Sequence, residues 1–351
     1  MEDIFDYEHL EEAFFKCRKN VSWKPSVKDF TINNSENILK MSKQIHEGTW
    51  KNGKPRKILI LYPKKREGLS ISFRDRVYQR CINDYVLYPE MTKHFIFDNW
   101  ACQKGKGPDF ARRRFESFIR KEFINNGLNS YLLQIDITGY YPNMRHDEVD
   151  KNNKRYLDPY IFSRVKDVLD TQYVGDVGYN PGSQMVQIAG ISLLNPVDHY
   201  IKEELNVKHY GRYMDDMELF LETYEEALHV LNLIEARLSG LGFKINRKKT
   251  KITPLAKPFE FLGFIYKVTN TGKIIKTKKP ESVKHERKKI TRMATKCAKG
   301  ELSEEKMDDC IDCYLSHLEK GNSKELIRKL NNFSTKEKER MYAYYSKRRD
   351  A

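Results

Sequence analysis

"HYGRYMDDMELF", His209 to Phe220, sets two carboxylates, Asp215 and Asp216, side by side between two short apolar, β-prone runs. Adjacent negative charges repel, and neither leaves water without compensation. At the tip of a strand–turn–strand they either decorate an exposed hairpin or hold something divalent and positive. The stretch that decides lies upstream. "SYLLQIDITGYY", Ser130 to Tyr141, reads as an apolar sheet strand that delivers Asp136 at its end. If strand and hairpin share a sheet, three carboxylates meet at one edge. Hard divalent cations take oxygen ligands, and Mg²⁺ takes few carboxylates, drawing its other ligands from water and substrate phosphates. Two such ions about 3.5–4 Å apart activate an attacking hydroxyl and stabilise a leaving oxygen in phosphoryl transfer.

Working outward, residues 1–50 carry apolar residues at three- and four-residue spacing and read as helices. "KILILYP" reads as a strand, "KKREG" as a basic turn and "LSISF" as a second short segment. Helical patterning resumes through "RDRVYQRCINDYVLYPEM", and a Gly-rich loop, "CQKGKGPD", opens the basic helix "FARRRFESFIRKEF". Beyond Asp136 a polar helical stretch at about 147–173 precedes "NPGSQMVQIAGISLLNPVDHYIKEEL", an apolar helix that Pro196 is expected to kink. After the hairpin come an amphipathic helix stopped by Gly242 and a second hairpin-like pair, "FEFLGFIYKV". Strand-borne acids inside this βαββαβ-like order predict an α+β core flanked by helical elements. From about residue 270 the composition turns basic, and the run 273–299 is expected to be helical.

In 351 residues, 64 Lys and Arg stand against 49 Asp and Glu, a formal net charge of +15. Such an excess points to a polyanionic partner, and nucleic acid suits it better than a membrane because no amphipathic anchor stands out. No apolar run reaches the roughly 18 residues that span a bilayer, and the acidic start "MEDIFDYEHLEEAFF" has no signal-like apolar core, so a cytoplasmic location is expected. The six cysteines are scattered, as suits a reduced compartment. Cys297, Cys310, Cys313 and His317 admit a zinc reading, but the last three share a helix face with Met307, Ile311 and Leu318, so buried thiols are the plainer account.

These residues carry a resemblance to the reverse transcriptases. "YMDD" at 213–216 between apolar strands resembles the family signature, and "QIDITGYY" its first palm motif, an Asp followed five residues later by an aromatic. "GSQMVQ" resembles the bacterial Gly-x-x-x-Ser-Gln motif, "GFKINRKKTKI" the fourth motif and "FEFLGF" the primer-grip hairpin. "RKILILYPKKREGLSISFRDRVYQ" and "ACQKGKGPDFA" resemble fingers blocks of bacterial retroelement enzymes, and "YLSHLEKGNSKEL" the thumb of those from diversity-generating retroelements. One departure stands out: Val186 occupies the Ser position of the third motif, so its hydroxyl is missing or Ser183 supplies it from a shifted place.

The resemblance implies a right-hand polymerase: N-terminal helices and fingers over 1–130, an antiparallel palm backed by helices over 131–269 with a helical insertion at about 147–180, and a basic helical thumb over 270–351. It implies two Mg²⁺, replaceable by Mn²⁺, on Asp136, Asp215, Asp216 and the carbonyl of Ile137, with Lys249 as general acid to pyrophosphate or else a plain surface lysine. Arg74, Arg76, Tyr141, Gly182 and Gln187 would meet the dNTP, with Tyr141 excluding a 2′-hydroxyl. For Arg74 and Arg76 the alternative is an Arg–Asp–Arg turn around Asp75. Lys64, Lys65 and Arg66 either help or form a solvated turn. Lys104, Lys106, Tyr213, Met214 and Gly263 would touch primer or template. The implied partners are a structured RNA template, its DNA product, dNTPs and a small accessory protein. The resemblance covers about residues 45–330, and with about twenty residues left neither a ribonuclease H nor an endonuclease is expected. The implied work is reverse transcription of a dedicated RNA of a bacterial or phage retroelement. The alternatives are a defence-associated enzyme, of abortive-infection or retron type, and a non-catalytic RNA-binding protein of the same fold.

Overall fold

The computed structural model describes residues 3–61, 66–180 and 182–349. Lys64 and Lys65 therefore lie outside the described residues. The chain divides into two units, Met1–Ala111 with Leu133–Ile252, and Arg112–Leu132 with Thr253–Ala351.

The first unit opens with α1 (Tyr7–Arg18), α2 (Pro25–Ile32) and α3 (Asn34–His46). Asp6 caps α1 by accepting from the His9 amide at 2.8 Å, and Leu10, Phe14, Ile38, Met41 and Ile45 turn inward to one core. β1 (Arg56–Ile60) and β2 (Arg66–Ser70) pair as an antiparallel ribbon. The Ser72 hydroxyl caps α4 (Phe73–Ile82), whose last turn widens through Asn83–Leu87 into α5 (Tyr88–Thr92). The long helix α6 (Pro108–Asn126) and strand β3 (Tyr131–Ile135) follow.

The polar stretch expected as one helical region is two helices, α7 (His146–Tyr156) and α8 (Pro159–Gln172). Asp158 breaks them apart, accepting from the Tyr160 and Ile161 amides with Pro159 in the first turn. Pro196 does not kink a continuous helix either. α9 (Gln184–Leu193) ends, and α10 (Asn195–His199) starts with the proline in its first turn, where its missing N–H costs nothing. Then come β4 (Tyr210–Tyr213), β5 (Asp216–Leu221), α11 (Tyr224–Gly240) and β6 (Lys251–Pro254). Strands β4, β5, β3 and β6 form one sheet in that order, with β4 and β5 antiparallel.

The second unit contains β7 (Phe259–Phe261), β8 (Phe264–Val268) and β9 (Ile274–Lys278), an antiparallel sheet in that order, then α12 (Pro280–Ala298), α13 (Glu304–Leu318) and α14 (Lys324–Arg349). The basic run expected as one helix from 273 is thus a strand first. Ile274, Ile275 and Thr277 are β-branched, and helix begins only where Pro280 supplies a first turn. Phe115 of α6 stacks on Phe261 at 4.1 Å and meets Tyr266 edge-on at 5.4 Å. Ile290, Met293, Cys297, Met307, Ile311, Leu315 and Leu330 form the core of the last three helices.

Candidate active site

Because β3 lies beside β5 in the sheet, the chain leaving β3 at Asp136 and the turn joining β4 to β5 bring all three predicted carboxylates into one neighbourhood. Asp136 is pinned on three sides. Its N–H donates to Thr250 Oγ1 at 3.3 Å, its carbonyl accepts from the Asn246 N–H at 2.8 Å, and its Oδ2 accepts from Lys249 Nζ at 2.8 Å. Ile137 bridges to Ile245, and the flanking ladder bonds use Asp136 and Thr138 rather than Ile137 itself. Loss of hydration, then repulsion from Asp215 and Asp136, pushes Asp216 up to about 6. Burial raises Asp215 too, with Asp136 adding repulsion against the pull of its own amide, Arg212 and Lys249. A cation held among the three carboxylates would reverse the repulsion between them.

Among the described residues no three His, Cys, Asp or Glu side chains are already gathered into a metal cage. The donor set nonetheless fits a hard divalent cation. It is oxygen only, its members repel one another, and one of them already answers an ammonium group whose side chain is 67% exposed and free to move aside.

The turn itself is held from beneath. Tyr213 faces Asp216 in the ladder, leaving Met214 and Asp215 as a two-residue loop. Met214 sits at φ +59°, the left-handed region usual for glycine at such a loop. Arg212, wholly buried, donates from Nη1 to the Met214 carbonyl at 2.6 Å and from Nη2 to the Ile191 carbonyl at 3.0 Å. It also grips Asp198, equally buried, through Nε at 2.7 Å and Nη2 at 2.5 Å. Tyr210 donates its hydroxyl to the same carboxylate at 2.5 Å. On the outer side of β4, residues 98–100 supply backbone bonds to Arg212, and Trp100 lies so close that a Cβ on Gly211 would fall 1.9 Å from its ring. The sequence reading missed Arg212, Asp198 and Gly211. A charged residue inside a buried strand was the available signal.

Around the turn, Cys102 Sγ lies 3.6 Å from Met214 Sδ and 3.9 Å from Gln187 Oε1. Tyr141 opens a short 3₁₀ turn, packs its ring where a Cβ on Gly190 would approach within 3.2 Å, and keeps a buried hydroxyl with no hydrogen-bond partner among the described residues. Burial pushes that phenol's pKa up, with Cys102 and Asp215 adding to it. Tyr141, Gln187, Met214 and Asp215 therefore form one group, with Cys102 an unforeseen member. Arg76, Gly182 and Ser183 line a separate cleft of about 370 Å³ with Lys16 and Lys19, and a Cβ on Gly182 would meet nothing within 4 Å. Arg74 lies over the Trp50 ring at 4.2 Å and donates to the Lys51 carbonyl at 2.7 Å and to Asp75 at 3.4 Å. The Ser183 hydroxyl caps α9 and donates to Gln79 at 3.2 Å, while Val186 is fully buried in the core.

Lys104 is exposed beside Tyr88, whose ring its ammonium overhangs at 5.3 Å. Lys106 turns inward instead, donating to the Phe97 and Asn99 carbonyls at 2.8 and 3.0 Å, and burial lowers its pKa. Gly263 belongs to the second unit, at φ +82° in the β7–β8 turn, with Lys278 Nζ 3.3 Å from where its Cβ would be. Cys297 is in the helical core near Met307, Cys313 is exposed, and the His317 ring lies tilted against Phe264 with centroids 5.0 Å apart.

The sheet therefore sets Asp215 on a two-residue turn and Asp216 at the start of β5, with Asp136 following the end of the neighbouring strand β3. Residues 63–266 match the family described as reverse transcriptase (RNA-dependent DNA polymerase), and the chain belongs to that family. Among solved structures it is similar to telomerase from Candida albicans in complex with a fragment of telomeric RNA, with 12% identity, a TM-score of 0.47, and coverage of 83% of this chain and 59% of that one. It is also similar to apo telomerase from Candida tropicalis truncated from its C-terminal domain, with 11% identity, a TM-score of 0.47, and coverage of 69% and 60%. The chain thus spans about 60% of the length of those telomerase chains. No curated protein sequence matches it.

Proposed function

We propose that the protein is an RNA-templated DNA polymerase. The observation that carries this is the grouping of Asp136, Asp215 and Asp216, mutually repelling, at one place in the β4-β5-β3-β6 sheet. Two Mg²⁺, or Mn²⁺ in their place, would be held by these carboxylates and by the Ile137 carbonyl; when bound they supply charge for the attack of a primer 3′-hydroxyl on a dNTP α-phosphate and for the departing pyrophosphate. Lys249, displaced from Asp136, donates a proton to that leaving group. Tyr141, whose hydroxyl has no partner among the described residues, forms with Gln187 the wall against which the sugar and base of the nucleotide rest, the Tyr141 ring excludes a 2′-hydroxyl, and Met214 meets the primer end. Arg74 and Arg76 steer the triphosphate, Arg74 after release from Trp50 and Asp75. In this reading the second unit, with the Gly263 turn and the lysines of α12, grips the backbone of the RNA–DNA hybrid by phosphate and sugar contacts.

The assignment is tested by Asp215→Asn. That variant is expected to lose dNTP incorporation on poly(rA)/oligo(dT) and to bind RNA as the parent does. Persistent synthesis by Asp215→Asn would overturn it.

The substrate we propose is a dedicated structured RNA of a bacterial or phage retroelement, of which the diversity-generating type fits the motif resemblances best. A cytoplasmic site of action and an accessory protein that helps present the primer belong to the same proposal. The net charge of +15 supports a polyanionic partner. Sequencing the nucleic acid that copurifies with the protein tests this. A repeat-derived template supports the proposal, and a noncoding RNA of defence type replaces it.

A further inference from the structure

We propose that Arg212 and Asp198 are positioning residues that hold the Met214–Asp215 turn in its metal-receiving geometry. The proposal rests on the polymerase reading of that turn. A two-residue loop with a non-glycine residue at φ +59° stores strain and relaxes unless something over-determines it. Here the restraint is specific. Nη1 of Arg212 takes the carbonyl of the strained residue itself, at 2.6 Å, one peptide bond from Asp215.

The same guanidinium reaches the Ile191 carbonyl in α9 and both carboxylate oxygens of Asp198 in α10. One planar group therefore ties the turn to two helices, and Tyr210 completes the satisfaction of Asp198. Only arginine does this. A lysine at 212 keeps the charge but offers one tetrahedral head where a planar fork now spans several acceptors. Neither residue faces solvent, so neither touches substrate. Their role is to keep the first acid of the pair aimed.

The experiment uses the full chain with Arg212→Lys, Asp198→Asn and Tyr210→Phe. Tyr210→Phe removes a single hydrogen bond and no charge, so it stays informative if the other two do not fold. Mn²⁺ binding is titrated calorimetrically without nucleic acid, and incorporation is followed against Mg²⁺ concentration on poly(rA)/oligo(dT). The expected result is Mn²⁺ affinity weakened about tenfold in Arg212→Lys and about threefold in Tyr210→Phe. Half-saturating Mg²⁺ should rise in step, kcat should fall, and hybrid affinity should stay within about twofold of the parent. Variants that melt earlier but keep parental Mn²⁺ affinity and Mg²⁺ dependence would overturn the proposal, leaving the pair merely structural. A parent that binds Mn²⁺ more tightly than its variants yet incorporates no dNTP would uphold the positioning role and sink the polymerase reading instead.

Discussion

At the scale of single residues, the paired acids were legible because charge is conspicuous between apolar runs, and Asp136 because it ends one. Their support was not. Arg212 and Asp198 are fourteen positions apart; the charge inside an apolar strand was a signal at Arg212, but nothing in "VDH" marks Asp198 as its partner until the fold buries both. Cys102 gave no signal, since only the backbone's course brings it to Met214. Met214 shows how structure sharpens a sequence-based expectation. Its Sδ lies 3.6 Å from Cys102 Sγ, and in the proposed reading it touches the primer end, so Met214→Val is expected to change nucleotide selection more than metal dependence. The backbone adds a second effect. A β-branched side chain at φ +59° costs about 1–2 kcal/mol, whereas glycine relieves the strain. Misincorporation ratios and denaturant melts of Met214→Val and Met214→Gly check both effects together. A Val variant that lost Mg²⁺ dependence with its fidelity unchanged would mean the turn is wrongly placed.

At the scale of elements, amphipathic periodicity foretold most helices and the capping residues drew their ends, as at Asp158 and Ser72. β9 was misread because its lysines hide the β-branched residues that pair it with β8. Contacts between elements were invisible, and the tie of α1 to the turn after α4 is one of them. Asp84 accepts from Lys16 at 3.0 Å and from Arg80 at 2.7 Å. Burial pushes the Asp84 carboxyl up, but bonds from Arg80, Lys16 and Asn83 outweigh it and hold the pKa below the usual 3.8. A group depressed on folding stabilises above its unfolded pKa, and that stability is lost as pH falls through and below 3.8. Asp84→Asn is therefore expected to cost about 1 kcal/mol near neutrality and nothing at the acid end. Melting temperatures from pH 3 to 7 test this, and a constant difference across the range would refute it.

At the scale of the whole molecule, the basic surplus is a property of composition, and composition does not say where phosphates bind. If about six are neutralised, affinity for an RNA–DNA hybrid should fall about a thousandfold between 50 and 200 mM salt. Fluorescence anisotropy at several salt concentrations measures the slope, and a flat line would count against backbone gripping. The division into two units also bears on how the chain is made. α6 leaves the ribosome early, yet the partners of Phe115, namely Phe259, Phe261 and Tyr266, are translated only after the entire sheet of acids. Until those three rings are made, the part of the Phe115 face that they cover stays open, so the nascent chain carries a sticky segment while the whole β4-β5-β3-β6 sheet is being translated. Ribosome-bound chaperones, or slow codons placed after β6, would have their largest effect on yield in that window.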